Sequence, residues 1–184
     1  EVRDAWIIGN RVHNIKRNSI ALQKWGENLQ IIGNVLHGGE FGINQYWRDK
    51  FTLHVSGNIV SQMKDHLVYV EPQVAGRSSF EGNLFWNDGK DVRLRWGKRF
   101  KERARGDIKS TQIAGAKNFL GDPSIEQVDE HHIRVAAGTE TVAACRQRLT
   151  EVRAKFASIY GDSVSIDTPE LCAKNAGIEM GASR

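Results

Sequence analysis

The chain has 184 residues, 40% of them hydrophobic, which bounds it to one domain, or one domain with an appendage, able to bury a core. No run approaches the roughly 18 apolar residues of a membrane-spanning helix, so no membrane span is expected. With 26 basic and 22 acidic residues the net charge is +4, a mild bias toward anionic partners that does not by itself make nucleic acid an expected one.

In chain order, the first feature is a repeat. The chain opens at Glu1, almost inside the first copy, and reads as the C-terminal part of something longer. "IIGNRV" at 7–12 is echoed by "IIGNVL" at 31–36, "VSGNIV" at 55–60 and "FEGNLF" at 80–85. The Gly-Asn pairs fall at Gly9-Asn10, Gly33-Asn34, Gly57-Asn58 and Gly82-Asn83, spaced 24, 24 and 25 residues apart. Each period holds short β-rich runs broken by polar turns, with no amphipathic helical window between them. Such a period excludes a leucine-rich repeat, which needs a Leu scaffold, and a propeller blade, which needs about twice the length. It matches one coil of a parallel β-helix, whose coils stack about 4.8 Å apart.

Stacking places equivalent residues in columns. Ile7, Ile31, Val55 and Phe80 form one, and Val12, Leu36, Val60 and Phe85 a second. A third is Ile20, Ile43, Leu67 and Val92, continued less cleanly by Leu22, Gln45, Tyr69 and Leu94. Gly permits the left-handed backbone of a sharp corner. The Asn after it can hydrogen-bond its neighbour one coil on, so Asn10, Asn34, Asn58 and Asn83 are expected to form a structural ladder.

After residue 97 the pattern decays into the basic run "GKRFKERARGD", a solvated loop or a clamp for an anionic chain. "IKSTQIAGAKNFLGDP" reads as one more, irregular coil. His131-His132 is a poor joint metal site, since strand neighbours point to opposite faces, and no metal site is expected. Val142, Cys145, Leu149, Val152, Phe156 and Ile159 then recur at helical spacing, predicting an α-helix over about 140–160 begun by Thr139 and ended by Gly161. Arg146, Arg148, Arg153 and Lys155 fall on its other faces, in water. This helix is expected to cap or flank the C-terminal end of the coils, packed on their end or side and covering an unpaired edge.

The runs "IIGNRVHN", "IIGNVLHGGEFGI" and "VSGNIVSQMKDHLVYV", with "NLFWNDGKDVRLRW", "NFLGDPSI" and a final "GIEMGA", resemble right-handed parallel β-helix proteins of the pectate-lyase-like group. The resemblance covers about residues 5–135. It implies an all-β, right-handed parallel β-helix of about five coils over 1–122, with a C-terminal α-helical extension over 123–184. It also implies a secreted, periplasmic or cell-surface protein, and there the two cysteines, Cys145 and Cys172, would form a disulfide; two buried free thiols are the alternative. No cofactor is evident, and calcium enters only through the resemblance.

Function is read from the second strand of each coil. With the apolar column inward, Ala21, Asn44, Val68 and Arg93 face out, as do Gln23, Tyr46, Val70 and Arg95, with Trp25, Trp47, Glu71 and Trp96 near the strand ends. Rings cover the apolar face of a pyranose and Arg forks match a carboxylate, so Tyr46, Trp47, Glu71 and Trp96 are substrate-binding candidates for an acidic polysaccharide or oligosaccharide. A lyase needs a base beside a uronate carboxylate and a cation for the developing charge, roles Lys24, Arg93 and Arg95 could fill. Hydrolysis would draw on Asp65, Glu71 and Asp91, which form no clean pair. The first-strand surface offers His13 and His37, stacked in one column, with Ser61 and Trp86. The competing reading is a non-catalytic binding or structural module, or an inactive fragment of a larger β-helix whose missing N-terminal part, or an oligomer partner, completes it.

Overall fold

The computed structural model describes residues 2–23, 26–46, 51–70, 77–88, 94–96, 118–130, 132–135 and 139–161. In chain order the strands are β1 (Val2–Arg3), β2 (Trp6–Ile8), β3 (Arg11–Gln23), β4 (Gly26–Ile32), β5 (Val35–Tyr46), β6 (Phe51–Ser56) and β7 (Ile59–Val70). They continue with β8 (Ser78–Glu81), β9 (Leu84–Trp86), β10 (Leu94–Trp96), β11 (Phe119–Leu120), β12 (Ile125–Gln127) and β13 (Ile133–Val135). The helix α1 is Thr139–Tyr160. A first sheet of five parallel strands runs β1–β4–β6–β8, with β2 also on β4. A second, of six parallel strands, runs β11–β9–β7–β5–β3, with β10 on β7. Strands β12 and β13 pair antiparallel.

Neighbouring strands are the same segment of successive copies. Ile7 pairs with Ile31, Ile31 with Val55 and Val55 with Phe80 in the first sheet. Val12, Leu36, Val60 and Phe85 pair in the same succession in the second. Both expected columns therefore stand. Their inner members join one apolar cluster drawn from both sheets.

The doubled aliphatics of the repeat, Ile31-Ile32, Val35-Leu36, Ile59-Val60 and Leu84-Phe85, follow from burial on both faces, as parallel sheets require. Ile31, Leu36, Val60 and Phe85 face the shared core. Val35, Ile59 and Leu84 point the other way and are covered by the β12–β13 hairpin through Ile133 and Val135. Ile32 is covered by α1.

Each copy turns from first sheet to second at Gly9, Gly33, Gly57 or Gly82, all left-handed with φ between +61° and +65°. A second left-handed residue recurs four positions after the ladder Asn: Asn14, Gly38 and Gln62, with φ of +54°, +63° and +58°. The sequence reading did not anticipate this bend inside β3, β5 and β7.

Beyond it the register slips. Ile15 pairs with Gly39 but Asn18 with Phe41, and Gly39 pairs with Met63 but Phe41 with His66. One extra residue sits in β3 and one in β7, each a bulge against β5. This corrects the third column, which runs Ile20, Ile43, Val68 and Leu94 rather than through Leu67, and places Tyr69 beside Asn44 and Arg95. Val68 and Val70, expected to face out, belong to the inner core.

The helix forms where its period predicted, and Gly161 ends it with φ +73° and its N–H bonded to Ala157 O at 2.9 Å. Val142, Cys145, Leu149 and Val152 are buried as expected, against Ile32, Trp6 and Ile8. Of the two expected seats, end or side, the helix takes the side. It lies against the outer face of the first sheet, meeting β6 and β4 near its start and reaching Asp4 through Lys155 Nζ at 3.1 Å. It thus runs back across the copies toward the first one. Arg148 is not free in water, since its Nε donates to Gln30 Oε1 at 3.0 Å.

The seat for the helix is made by the corner glycines. A Cβ on Gly33 would stand 2.5 Å from Cys145 Sγ, and one on Gly57 2.6 Å from the Cys145 backbone N. Only hydrogen at these positions lets the helix backbone approach. Cys145 is disulfide-bonded; its expected partner, Cys172, lies outside the described residues.

Candidate functional site

The best-defined polar assembly is the amide ladder at the Gly-Asn corner. Asn34 Oδ1 accepts from the backbone N and the Nδ2 of Asn10 at 2.9 and 3.0 Å. Asn58 Oδ1 accepts the same pair from Asn34 at 2.8 and 2.9 Å, and Asn83 Oδ1 from Asn58 at 2.9 and 2.9 Å. The other amide hydrogen of each inner member goes backward: Asn34 Nδ2 donates to Ile7 O, Asn58 to Ile31 O and Asn83 to Val55 O, at 2.8, 2.8 and 2.9 Å. Every hydrogen-bonding site of these buried amides is therefore used, as burial demands. The ladder extends one step further than the repeat suggested. Asn118 Oδ1 accepts from Asn83 N and Nδ2 at 3.0 and 2.8 Å, across 35 residues. The signal was "NFL" at 118–120, which repeats the Asn-aliphatic pattern with Lys117 in place of Gly.

Two histidine–serine ties bridge neighbouring copies, one on each sheet. In the second sheet His13, His37, Ser61 and Trp86 form the expected column, and His37 Nδ1 lies 2.9 Å from Ser61 Oγ. Burial, aided by His13, pushes the His37 imidazole below its usual range, favouring the neutral ring. Ser61 is fully buried, so this hydroxyl joins strands and does not meet a substrate. In the first sheet His54 Nδ1 lies 2.7 Å from Ser79 Oγ. Burial lowers the His54 pKa most, and the Arg148 and Lys155 cations of α1 lower it further.

The seam between α1 and the first sheet is polar along one side. Gln30 receives Arg148 and donates from Nε2 to Asn28 Oδ1 at 2.7 Å; Asn28 in turn bonds Asp4, which also binds Lys155. Asp4 is held below the usual carboxylate range by the Asn28 bond first and Lys155 second. Arg148 and Glu151 pair at 2.7 Å. In the second sheet Asn44 bonds Asn18 and the His66 ring, and His66 lies against Phe41 with ring centroids 4.6 Å apart.

Of the expected saccharide face, Lys24, Trp47, Glu71 and Arg93 lie outside the described residues, as do Trp25, Asp91, His131 and the basic run. Backbone pairing sets Tyr46 beside Gln23, Arg95 beside Tyr69 and Trp96 beside Val70. Asn44, expected to face out, is fully buried in the amide–imidazole cluster. Asp65 lies with its carboxylate 3.8 Å from the His66 ring. Among the described residues no three His, Cys, Asp or Glu side chains converge, so the calcium implied by the resemblance has no described donor set. None of the described helices is long and apolar enough to cross a membrane.

No protein-family model, curated protein or solved structure matches the chain.

Proposed function

We propose that the two parallel sheets are faces of a right-handed parallel β-helix of the pectate-lyase-like kind, and that the protein binds a linear acidic polysaccharide along that surface. The observation that carries the reading is the in-register pairing of successive copies in both sheets, at separations of 24 and 25 residues along the amide ladder. Identical strand segments side by side repeat their surface chemistry at the interstrand distance of about 4.8 Å, which a polymer can follow. Tyr46 and Trp96, which end β5 and β10, with Arg95 and the sequence neighbour Trp47, would supply the rings and cations. The disulfide at Cys145 supports an exported protein.

Binding without catalysis is the reading the described groups support best, because the histidines nearest to hydroxyls, His37 and His54, hold neighbouring strands together through Ser61 and Ser79. The test is retardation of the full chain in gels containing a polyuronate, beside an assay for unsaturated sugar products. Retardation that weakens with salt and in Arg95→Ala, without product, is expected. Migration unaffected by the polymer contradicts binding, and unsaturated product would make the protein a lyase.

A further inference from the structure

The two bulges of the second sheet fall at charged residues. Between the pairs Ile15–Gly39 and Asn18–Phe41, Lys16 and Arg17 stand across from the single residue Glu40. Between Gly39–Met63 and Phe41–His66, Lys64 and Asp65 stand across from the same Glu40 on its other side. A bulge re-aims the side chains it carries. Lys16, Arg17 and Lys64 are exposed, and Glu40 is half-buried. Asp65 turns its carboxylate to the His66 ring, with 3.8 Å between Oδ2 and Nδ1, which leaves Lys64 as the exposed charge of the second bulge. Along three neighbouring strands the sheet therefore presents cation, carboxylate, cation.

Opposite charges elsewhere on the molecule close on each other. Arg3 meets Glu27 at 3.3 Å, Arg148 meets Glu151 at 2.7 Å and Lys155 meets Asp4 at 3.1 Å. Lys16, Arg17, Glu40 and Lys64 do not. Among the described residues none of these four side chains takes part in an ion pair. Cross-strand pairing is the ordinary stabilising use of such charges. It is not the use made of these, whose N–H donors are left to solvent or to a ligand.

We infer that this row selects the polysaccharide: it takes a linear chain with a carboxylate on every second sugar, and Glu40 discriminates against a chain with a carboxylate on every sugar. This selection rests on the proposed binding of a linear acidic polysaccharide, to which it adds the spacing of the charges. One interstrand step, about 4.8 Å, is close to the rise of one sugar in an extended polymer, so a chain running across the strands sets one sugar at each copy. Lys16 with Arg17 lies two steps from Lys64, roughly 10 Å, and the two cationic positions meet the carboxylates of alternate sugars. The sugar between them lies at Glu40. A neutral sugar donates hydroxyl hydrogens to that carboxylate. A carboxylate on it comes within the Debye length of Glu40, about 8–10 Å, on whichever side of the chain it projects, and is repelled. Repulsion of the wrong ligand, beside attraction of the right one, is what makes the row specific.

The full chain is run in native gels containing polygalacturonate, with a carboxylate on every sugar, or hyaluronan, in which uronate alternates with a neutral sugar, at matched carboxylate concentration and low salt. Retardation is taken relative to a gel without polymer, which cancels the charge change of each variant. Hyaluronan is expected to retard the protein severalfold more strongly. Glu40→Gln should remove that preference by strengthening retardation in polygalacturonate, while Glu126→Gln, an exposed carboxylate on the β12–β13 hairpin, leaves the ratio unchanged. Lys16→Gln combined with Lys64→Gln should weaken retardation by hyaluronan severalfold. No retardation by either polymer overturns the binding reading and this selection with it. Equal retardation by both polymers, or a preference that Glu40→Gln leaves intact, overturns the selection alone and leaves the binding reading standing.

Discussion

The two halves of the long strands in the second sheet behave differently. From Arg11 to His13, and in the matching stretches of β5, β7 and β9, each residue pairs with its equivalent in the next copy without interruption. Beyond the left-handed residues Asn14, Gly38 and Gln62 the pairing slips by one residue at both β3–β5 and β5–β7. The first half adjoins the amide ladder, where a one-residue slip would leave buried amides without partners. The second half carries no ladder; its buried tie, in which Asn44 bonds Asn18 and the His66 ring, forms across the slipped register, so a bulge is accommodated there. Buried amide pairing, more than apolar matching, fixes register here.

Replacing Asn58 with Leu should therefore have the largest effect. It removes the acceptor of Asn34 N, the side-chain donor to Ile31 O, and one of the bonds made by Asn34 Nδ2 and by Asn83 Oδ1 in a dry interior, at a cost of about 3–5 kcal/mol. The same change at exposed Asn10 should cost no more than about 1 kcal/mol. Urea unfolding of both variants measures the contrast, and equal losses would remove burial as the cause.

Glycine corners give the next effect. Gly57→Ala places a Cβ 2.6 Å from the backbone N of Cys145 and strains a φ of +62°, for a loss of about 2–4 kcal/mol. At Gly161, with φ +73° and open space around it, only the backbone term of about 1 kcal/mol remains. Thermal melts of the pair separate the cost of seating the helix from the cost of the left-handed turn.

The repeat made much of this architecture legible. Gly33, Asn34 and the aliphatics around them state the corner, the ladder and the inner columns, because one physical need recurs at one interval. Asn118 was readable only in part, since its interval is 35 residues and Lys117 replaces the glycine. The bulges leave no sequence mark: an extra residue between Met63 and His66 looks like any other, and it reversed the face assigned to Val68 and Val70. Period alone gave α1 its span and its buried face. It could not say that Gly33 and Gly57 had cleared a seat for Cys145 on the side of the sheet. Of the expected saccharide residues, Lys24, Trp47, Glu71 and Arg93 lie outside the described residues, and the columns assumed for them depend on the register that slips.

A smaller, pH-dependent effect tests the helix seam. Burial and then the Arg148 and Lys155 cations hold His54 below its ordinary 6.5, so the folded state favours the neutral ring. The unfolded chain then binds more protons as pH falls. This contribution is present in full above about pH 6.5 and is lost as pH drops through the lower folded value. His54→Gln should flatten the urea midpoint between about pH 7 and pH 5; an unchanged slope would show that the seam does not hold His54 neutral.

The smallest effect belongs to the second bend. Gln62 holds φ +58° without being glycine, so Gln62→Gly relieves strain while loosening the unfolded chain, and the two nearly cancel, leaving a change within about 1 kcal/mol. A loss as large as that of Asn58→Leu would mean that the second bend also governs register.

The claim that amide pairing fixes the register is tested most directly by hydrogen exchange of the side-chain amides themselves, followed by NMR. The Nδ2 hydrogens of Asn34, Asn58 and Asn83 should exchange only through global unfolding, at rates set by the stability of the whole protein, while exposed Asn14 exchanges at once. Fast exchange at Asn58 in a chain whose β7 backbone amides remain protected would contradict the claim.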